Sequence, residues 1–250
     1  MLRQVFVVRL LTPEVEVYES TTLNLTNRFP VDGLENPGDL TSCGKFRCLY
    51  ISDWTGREIH RVELKGATTR WKVNYVSFGL SVTPDPDFHV LVTCHAERKL
   101  MEFKTDGTIV REIRLQQDLV SPLHAIQFDG QFIISHGWGS ERLHRVCIVN
   151  WTGQATRCYG GPHGSSVGRL DGPRHLDVDG EGNVVVADNN NRRVLLLNKT
   201  LDYVGELVST HNSGRSGLKP LSLCLDVSRG RLFVTDDHQK DVLIFQVRGE

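Results

Sequence analysis

Four side chains capable of chemistry recur at one offset from a proline. Asp39 stands two residues after Pro37, His124 after Pro122, His175 after Pro173 and Ser222 after Pro220, and alignment puts Gly79 at the same place in a fifth copy. If the chain brings these positions to one axis, two imidazoles and a carboxylate are a donor set that holds zinc and activates water. The same residues also suit the mouth of a solvated channel, where they would bind only water. The expectation is that no cofactor is bound, with zinc on His124 and His175 as the alternative.

A second group is cationic. GGPHGSSVGRLDGPR and STHNSGRSGLKP are rich in glycine and serine and hold Arg169, Arg174, Arg215 and Lys219 against Asp171 alone. They also carry His163 and His211, and Arg192 and Arg193 lie on the tip between them. Converging guanidinium groups bind carboxylates and phosphates by charge-assisted, often bidentate bonds. Loops of this composition are expected to be adaptable. A nucleophile–base pair is not legible, and neither is a glycine-rich phosphate loop or the paired C-x-x-C of a structural zinc site. DVDGEGNVVVAD imitates a calcium loop, but Val184 to Ala187 read as a strand that would carry Asp188 roughly 13 Å from the turn.

The elements that must position these groups show in a repeat. LYISD ends at Asp53, VLVTC at Cys94, FIISH at His136, VVVAD at Asp188 and LFVTD at Asp236, with a weaker copy ending at Arg9. An apolar position restarts six residues later at Ile59, Leu100, Val194 and Val242, and seven later at Leu143. The spacing of 41 to 52 residues between these ends is the length of a four-stranded blade. A proline and an apolar alternation precede most runs, and turns such as KTDGT and NWTGQ follow the third strand. The pattern predicts an all-β, six-bladed propeller in one domain over 1–250. Its blades fall at about 4–31, 36–73, 77–115, 121–160, 172–208 and 219–250. The first and last should have three strands each.

LDGPRHLDVDGEGNVVVADNNNRRVLLLN resembles an NHL repeat, and LYISDWTGREIHRVEL and LFVTDDHQKDVLIF resemble weaker copies. The resemblance implies a propeller like the C-terminal domain of tripartite-motif NHL proteins, where it serves as a binding module. Such propellers select targets for a ubiquitin ligase whose RING and B-box domains lie upstream; neither is in this chain. In the repeat, Asp188 is expected to accept N–H groups of the turn between second and third strands, the asparagines to take up positive φ, and Arg193 to hold its head in water. Some members bind RNA on this entrance face, but its charges nearly cancel here, and a protein or peptide partner is the main expectation. The family also includes a zinc-dependent peptidylglycine amidating lyase, the model for a channel-metal hydrolase or lyase. Its histidines follow the proline directly, where this chain has Leu123 and Arg174.

A net charge of −1 gives no general field for nucleic acid or anionic membrane. No apolar run approaches a membrane span, and MLRQVFVVRLL is short for a signal peptide. Six cysteines without an export signal read as free thiols in the cytoplasm; Cys147 and Cys158 could be cross-strand neighbours about the NWTG turn but are expected to be two buried thiols, and Cys43 and Cys48 could face each other across a hairpin. Sequons at Asn24, Asn150 and Asn198 are near chance frequency. A monomer is favoured.

Overall fold

The computed structural model describes residues 4–64, 66–84, 86–209, 217–238 and 241–247. Its strands form six antiparallel sheets, the blades of a six-bladed β-propeller. The first is β1 (Gln4–Val8), β2 (Glu14–Glu19) and β3 (Leu25–Pro30). The second is β4 (Pro37–Cys43), β5 (Cys48–Asp53), β6 (Glu58–Glu63) and β7 (Thr68–Lys72), and the third is β8 (Ser77–Val82), β9 (Val90–Cys94), β10 (Lys99–Phe103) and β11 (Ile109–Arg114). The fourth holds β12 (Pro122–Phe128), β13 (Gln131–His136), β14 (Leu143–Val149) and β15 (Ala155–Pro162), and the fifth β16 (Pro173–Val178), β17 (Val184–Asp188), β18 (Arg193–Leu197) and β19 (Tyr203–Ser209). The sixth has β20 (Pro220–Asp226), β21 (Arg231–Asp236) and β22 (Val242–Gln246). The first and last blades therefore carry three strands, as the repeat register requires. Among the described residues no helix is long and apolar enough to cross a membrane.

The chain's internal contacts group it into two compact units, 1–112 and 113–250. In the first, one core joins Val15 and Val17 of blade one to Leu49, Ile51 and Val62 of blade two, and another joins Tyr50 and Ile59 to Val90, Val92 and Phe103 of blade three. In the second unit, Ile133 and Val146 pack with Val184, Val186 and Leu195, while Val185 and Val194 pack with Leu232 and Val234. The second strands β5 and β17 thus have apolar neighbours on both faces. That is why LYISD and VVVAD read as continuous apolar runs rather than alternations. Burial falls off outward: β5, β9 and β17 are buried at every residue, whereas β3 and β11 are exposed at nearly every one.

Each first strand begins opposite the end of its second strand. Pro37 pairs with Asp53, Pro173 with Asp188 and Pro220 with Asp236, so the three aspartates are equivalent, as expected. A proline is tolerated there because the first residue of an edge strand has no ladder donor to lose. In the next two residues the register slips in every four-stranded blade and in the sixth, between Pro37 and Leu40, Ser77 and Gly79, Pro122 and His124, Pro173 and Leu176, and Pro220 and Leu223. Five bulges at one position re-aim the residues that follow the prolines.

Cysteine pairing departs from expectation. Cys147 and Cys158 are directly opposed in β14 and β15 and form a disulfide, so they are not the two buried thiols read from the sequence. Cross-strand register supplies the proximity that sequence separation leaves open. Cys43 and Cys48 are opposed in the same way across the GKFR turn, but both are free thiols. Unreduced, denatured protein should expose four reactive thiols, from Cys43, Cys48, Cys94 and Cys224. Replacing Cys147 and Cys158 with serine should lower stability by about 3 kcal/mol through the lost loop constraint. A thiol titration and a chemical melt check both.

Candidate functional site

The handover from second to third strand is organised by the repeated aspartate. Asp53 is fully buried and accepts four backbone N–H groups: Glu35 at 2.8 Å and Asn36 at 3.3 Å before β4, Thr55 at 2.9 Å and Gly56 at 3.1 Å after β5. These bonds hold its carboxyl below the usual range although burial opposes them. Asp236 accepts Lys219 N–H at 3.1 Å and His238 N–H at 3.0 Å. Asp188 accepts Asp171 N–H at 2.7 Å, but its remaining donors are side chains, Asn191 Nδ2 at 2.8 Å and Arg193 Nε at 2.9 Å. The expected turn N–H groups are replaced there, and all three aspartates also fasten the segment that leads into the first strand.

Two further details of the hexad differ from expectation. Positive φ falls on Arg192 (58°), as on Arg57 and Arg98 (both 51°) in the equivalent turns, and not on the asparagines. Arg193 does not hold its head in water. It is buried, and besides Asp188 it donates to Glu206 Oε1 at 3.3 Å and to the Arg169 carbonyl at 3.0 Å. A charge with two acidic partners and a carbonyl is committed to the blade, so Arg193 leaves the list of ligand-binding cations.

The other cations are placed unequally. Arg169 donates Nη1 to the Pro162 carbonyl at 3.0 Å, folding its head back on its own loop. That loop is pinned further by Gly168 N–H on Tyr159 Oη at 3.1 Å and Asn191 Nδ2 on Gly164 O at 2.8 Å, so it is a built segment and not an adaptable one. Arg192 is exposed, Lys219 half-buried and His163 exposed, its ring 5.4 Å from buried His144. Arg215 and His211 lie outside the described residues. Arg174 is the distinctive one. Its guanidinium lies 3.7 Å over the Trp138 ring, it makes no hydrogen bond or ion pair with any described residue, and Nε is buried. Burial pulls its pKa down, with Asp237 opposing at a distance. Trp138 also covers Gly172, whose position a Cβ would crowd at 2.8 Å from the indole. The sequence reading missed Trp138, although an indole between two glycines in HGWGSE was its signal.

The residues two after the prolines are set by the bulges. The N–H groups of Asp39, His124 and Ser222 donate to Ser52 Oγ at 2.9 Å, Ser135 Oγ at 3.2 Å and Thr235 Oγ1 at 2.8 Å, each just before the handover residue. Several of these side chains then satisfy the neighbouring first strand. Asp39 accepts Leu80 N–H at 2.8 Å, His175 Nδ1 faces Leu223 N–H at 3.4 Å, and Asp177 accepts Leu225 N–H at 2.7 Å. First strands have one unpaired edge, and these acceptors meet donors that would otherwise be buried alone. His124 and His175 come together as a stacked pair, centroids 3.9 Å apart and planes 25° inclined. Burial and His124 hold His175 well below its ordinary pKa. Asp177 is committed to strand N–H groups and Asp179 to its own turn, accepting Glu181 and Asn183 N–H at 2.9 Å, so the calcium-loop imitation is two separate structural roles.

Burial pushes Asp177 up from 3.8 to about 6 and Asp39 to about 7. A folded pKa above the unfolded one means that protonation favours the fold. The contribution is full below pH 3.8 and lost as pH rises through about 6 for Asp177. Asp177→Asn should therefore gain on the wild type, by on the order of 3 kcal/mol, between pH 4 and pH 7. Melts of both proteins across that range check the sign.

No family model matches the chain, and no curated protein matches it. Among solved structures it is similar to a chain of the nidogen/laminin complex, at 15% identity over 98% of this chain and 89% of that one, with a TM-score of 0.75. It is similar to hydrazine synthase of Kuenenia stuttgartiensis at 13% identity, over 99% and 93% of the two chains, TM-score 0.71. It is also similar to virginiamycin B lyase of Staphylococcus aureus at 10% identity, over 99% and 82%, TM-score 0.66. At such identities the likeness is one of fold alone, and the shared fold is the β-propeller.

Proposed function

We propose that this chain is a non-catalytic binding module of NHL type that takes an acidic or phosphorylated peptide at the end of the blades where second strands hand over to third. The supporting observation is Arg174. A guanidinium on an indole, half-buried with Nε fully enclosed and without an acceptor among the described residues, is an incomplete site. It is completed by a ligand carboxylate or phosphate, because an arginine stays charged when buried and its planar fork is held ready by the stack. Arg192, in the handover turn of blade five, and Lys219, just before β20, supply further positive charge. The NHL assignment rests on the Pro, Asp-Gly, Asp, Asn, Arg and Val pattern of residues 170–198. A Cys147–Cys158 disulfide fits an oxidising compartment and favours a protein ligand over RNA.

Arg174→Met should weaken binding of acidic or phosphorylated peptides at least tenfold, with the melting midpoint retained. Arg174→Lys should restore only part of the loss, since it keeps the charge but not the stacked fork. Wild-type binding should weaken with salt. Equal affinity of wild type and Arg174→Met for every acidic peptide that binds would remove the proposal, and tighter binding of single-stranded RNA would redirect it.

The stacked His124–His175 pair supports a second reading. A neutral imidazole is a zinc donor, burial favours that form at His175, and with its Nδ1 turned to Leu223 N–H, Nε2 is the atom that would face a metal. Bound zinc would polarise a water or substrate oxygen, as in the channel-metal lyase or hydrolase alternative. Elemental analysis of zinc-supplemented protein decides it: stoichiometric metal, lost in the His124→Ala/His175→Ala variant, is the outcome this reading requires.

A further inference from the structure

The three sequons lie on the same connection in three blades, Asn150 and Asn198 at its first residue and Asn24 at its last. Asn24-Leu25-Thr26 closes the turn from β2 to β3, Asn150-Trp151-Thr152 opens the turn from β14 to β15, and Asn198-Lys199-Thr200 opens the turn from β18 to β19. Each is a connection from a blade's third strand to its fourth. The described residues have five such connections, and three carry a sequon with no proline at its centre.

Turn chemistry does not account for the asparagines. Asn150 Oδ1 accepts Thr152 N–H at 3.0 Å, Thr152 Oγ1–H at 2.7 Å and Gln154 N–H at 3.0 Å. Asn198 Oδ1 likewise accepts Thr200 N–H at 3.0 Å, Thr200 Oγ1–H at 2.8 Å and Asp202 N–H at 2.8 Å. An aspartate does the same work elsewhere in this chain: Asp179 accepts Glu181 and Asn183 N–H, and Asp106 accepts Thr108 N–H at the corresponding turn of blade three. The amide nitrogen is therefore surplus to the turn. Nδ2 of Asn150 makes no hydrogen bond with a described residue, and that of Asn198 makes one, to Asp202 Oδ2 at 3.2 Å. Asn24 is exposed and its side chain makes no hydrogen bond with a described residue. Trp151, at the centre of the second sequon, is 70% exposed, which leaves the turn open to an enzyme.

Two more observations agree. Cys147, on the strand that leads to Asn150, forms a disulfide with Cys158, and disulfides persist in oxidising compartments, where N-glycosylation takes place. The sequons also lie at the ends of the strands away from the handover turns. β14 starts beside the Trp138 loop and ends at Val149, just before Asn150, so that Asn150 lies about 24 Å from its start. A glycan there stays clear of Arg174.

We propose that Asn24, Asn150 and Asn198 are acceptors for N-linked glycans. In the transfer, the bond between the sugar C1 and the diphosphate of a polyprenyl-diphosphate oligosaccharide breaks and a C1–Nδ2 bond forms. Nδ2 gives up one proton, the lipid diphosphate leaves, and no electrons are exchanged.

The test is to pass the full chain through the secretory pathway of a eukaryotic cell behind a cleavable leader. Its mass is then compared before and after peptide-N-glycosidase, with peptide mapping of the asparagines converted to aspartate. Three occupied sites are expected. Asn24→Asp, Asn150→Asp and Asn198→Asp should each remove one glycan. The latter two should keep the melting midpoint, because the carboxylate retains the turn acceptor. Thr152→Ala and Thr200→Ala should remove the same glycans by a different route. Disulfide-bonded, secreted protein with fewer than two of the three asparagines modified overturns the proposal. So does a chain recovered with Cys147 and Cys158 reduced and all three asparagines bare.

Discussion

Blades two, five and six depend on one recurring interaction, the buried carboxylate at the end of the second strand that accepts backbone N–H from the segment entering the first strand. At Asp53 it fastens both the segment entering β4 and the turn leaving β5. A buried N–H without an acceptor costs about 1–3 kcal/mol, so four at one carboxylate make this corner expensive to break. The same constraint fixes where the first strand begins, and hence that Pro37, Pro173 and Pro220 face Asp53, Asp188 and Asp236. In blade five Asn191 and Arg193 replace the turn N–H donors, which is why the hexad there is so polar between two buried runs.

From that corner follows the bulge, and from the bulge the character of the channel residues. Once Pro173 is held opposite Asp188, the slip before Leu176 turns His175 toward the neighbouring first strand. Asp39 and Asp177 meet strand N–H groups in the same way, and the Ser or Thr before the handover residue holds the bulge in blades two, four and six. These polar groups are first of all a solution to unpaired strand edges. Any ligand they take is added to that role, and a carboxyl raised to about 6 or 7 is the physical consequence of using buried acids as edge acceptors.

The two ends of each blade divide the remaining work. Handover turns carry charge that the structure partly neutralises, through Asp188 with Arg193, and partly leaves open, at Arg174 on Trp138. The opposite turns are closed by short Asx motifs with outward amides at Asn150 and Asn198. Seven-residue β14 lies between the two ends, so the proposed glycan and the proposed ligand would not compete for one surface.

Much of this was written in the chain. Apolar runs such as VVVAD, ending at intervals of 41 to 52 residues, determined the blades, because a strand packed on both faces has no polar alternation to disguise it. The equivalence of Asp53, Asp188 and Asp236, and the three-stranded first and last blades, follow from the same register. Tertiary structure alone decided which polar groups are free. Arg193 and Arg174 are both arginines of blade five, yet one is enclosed by Asp188, Glu206 and a carbonyl and the other rests on an indole from blade four. Cys147 and Cys158 are bonded while Cys43 and Cys48, also directly opposed across a turn, are not. Local sequence carries period and turn chemistry, whereas the partner of a side chain comes from a neighbouring strand or blade, and no spacing along the chain encodes it.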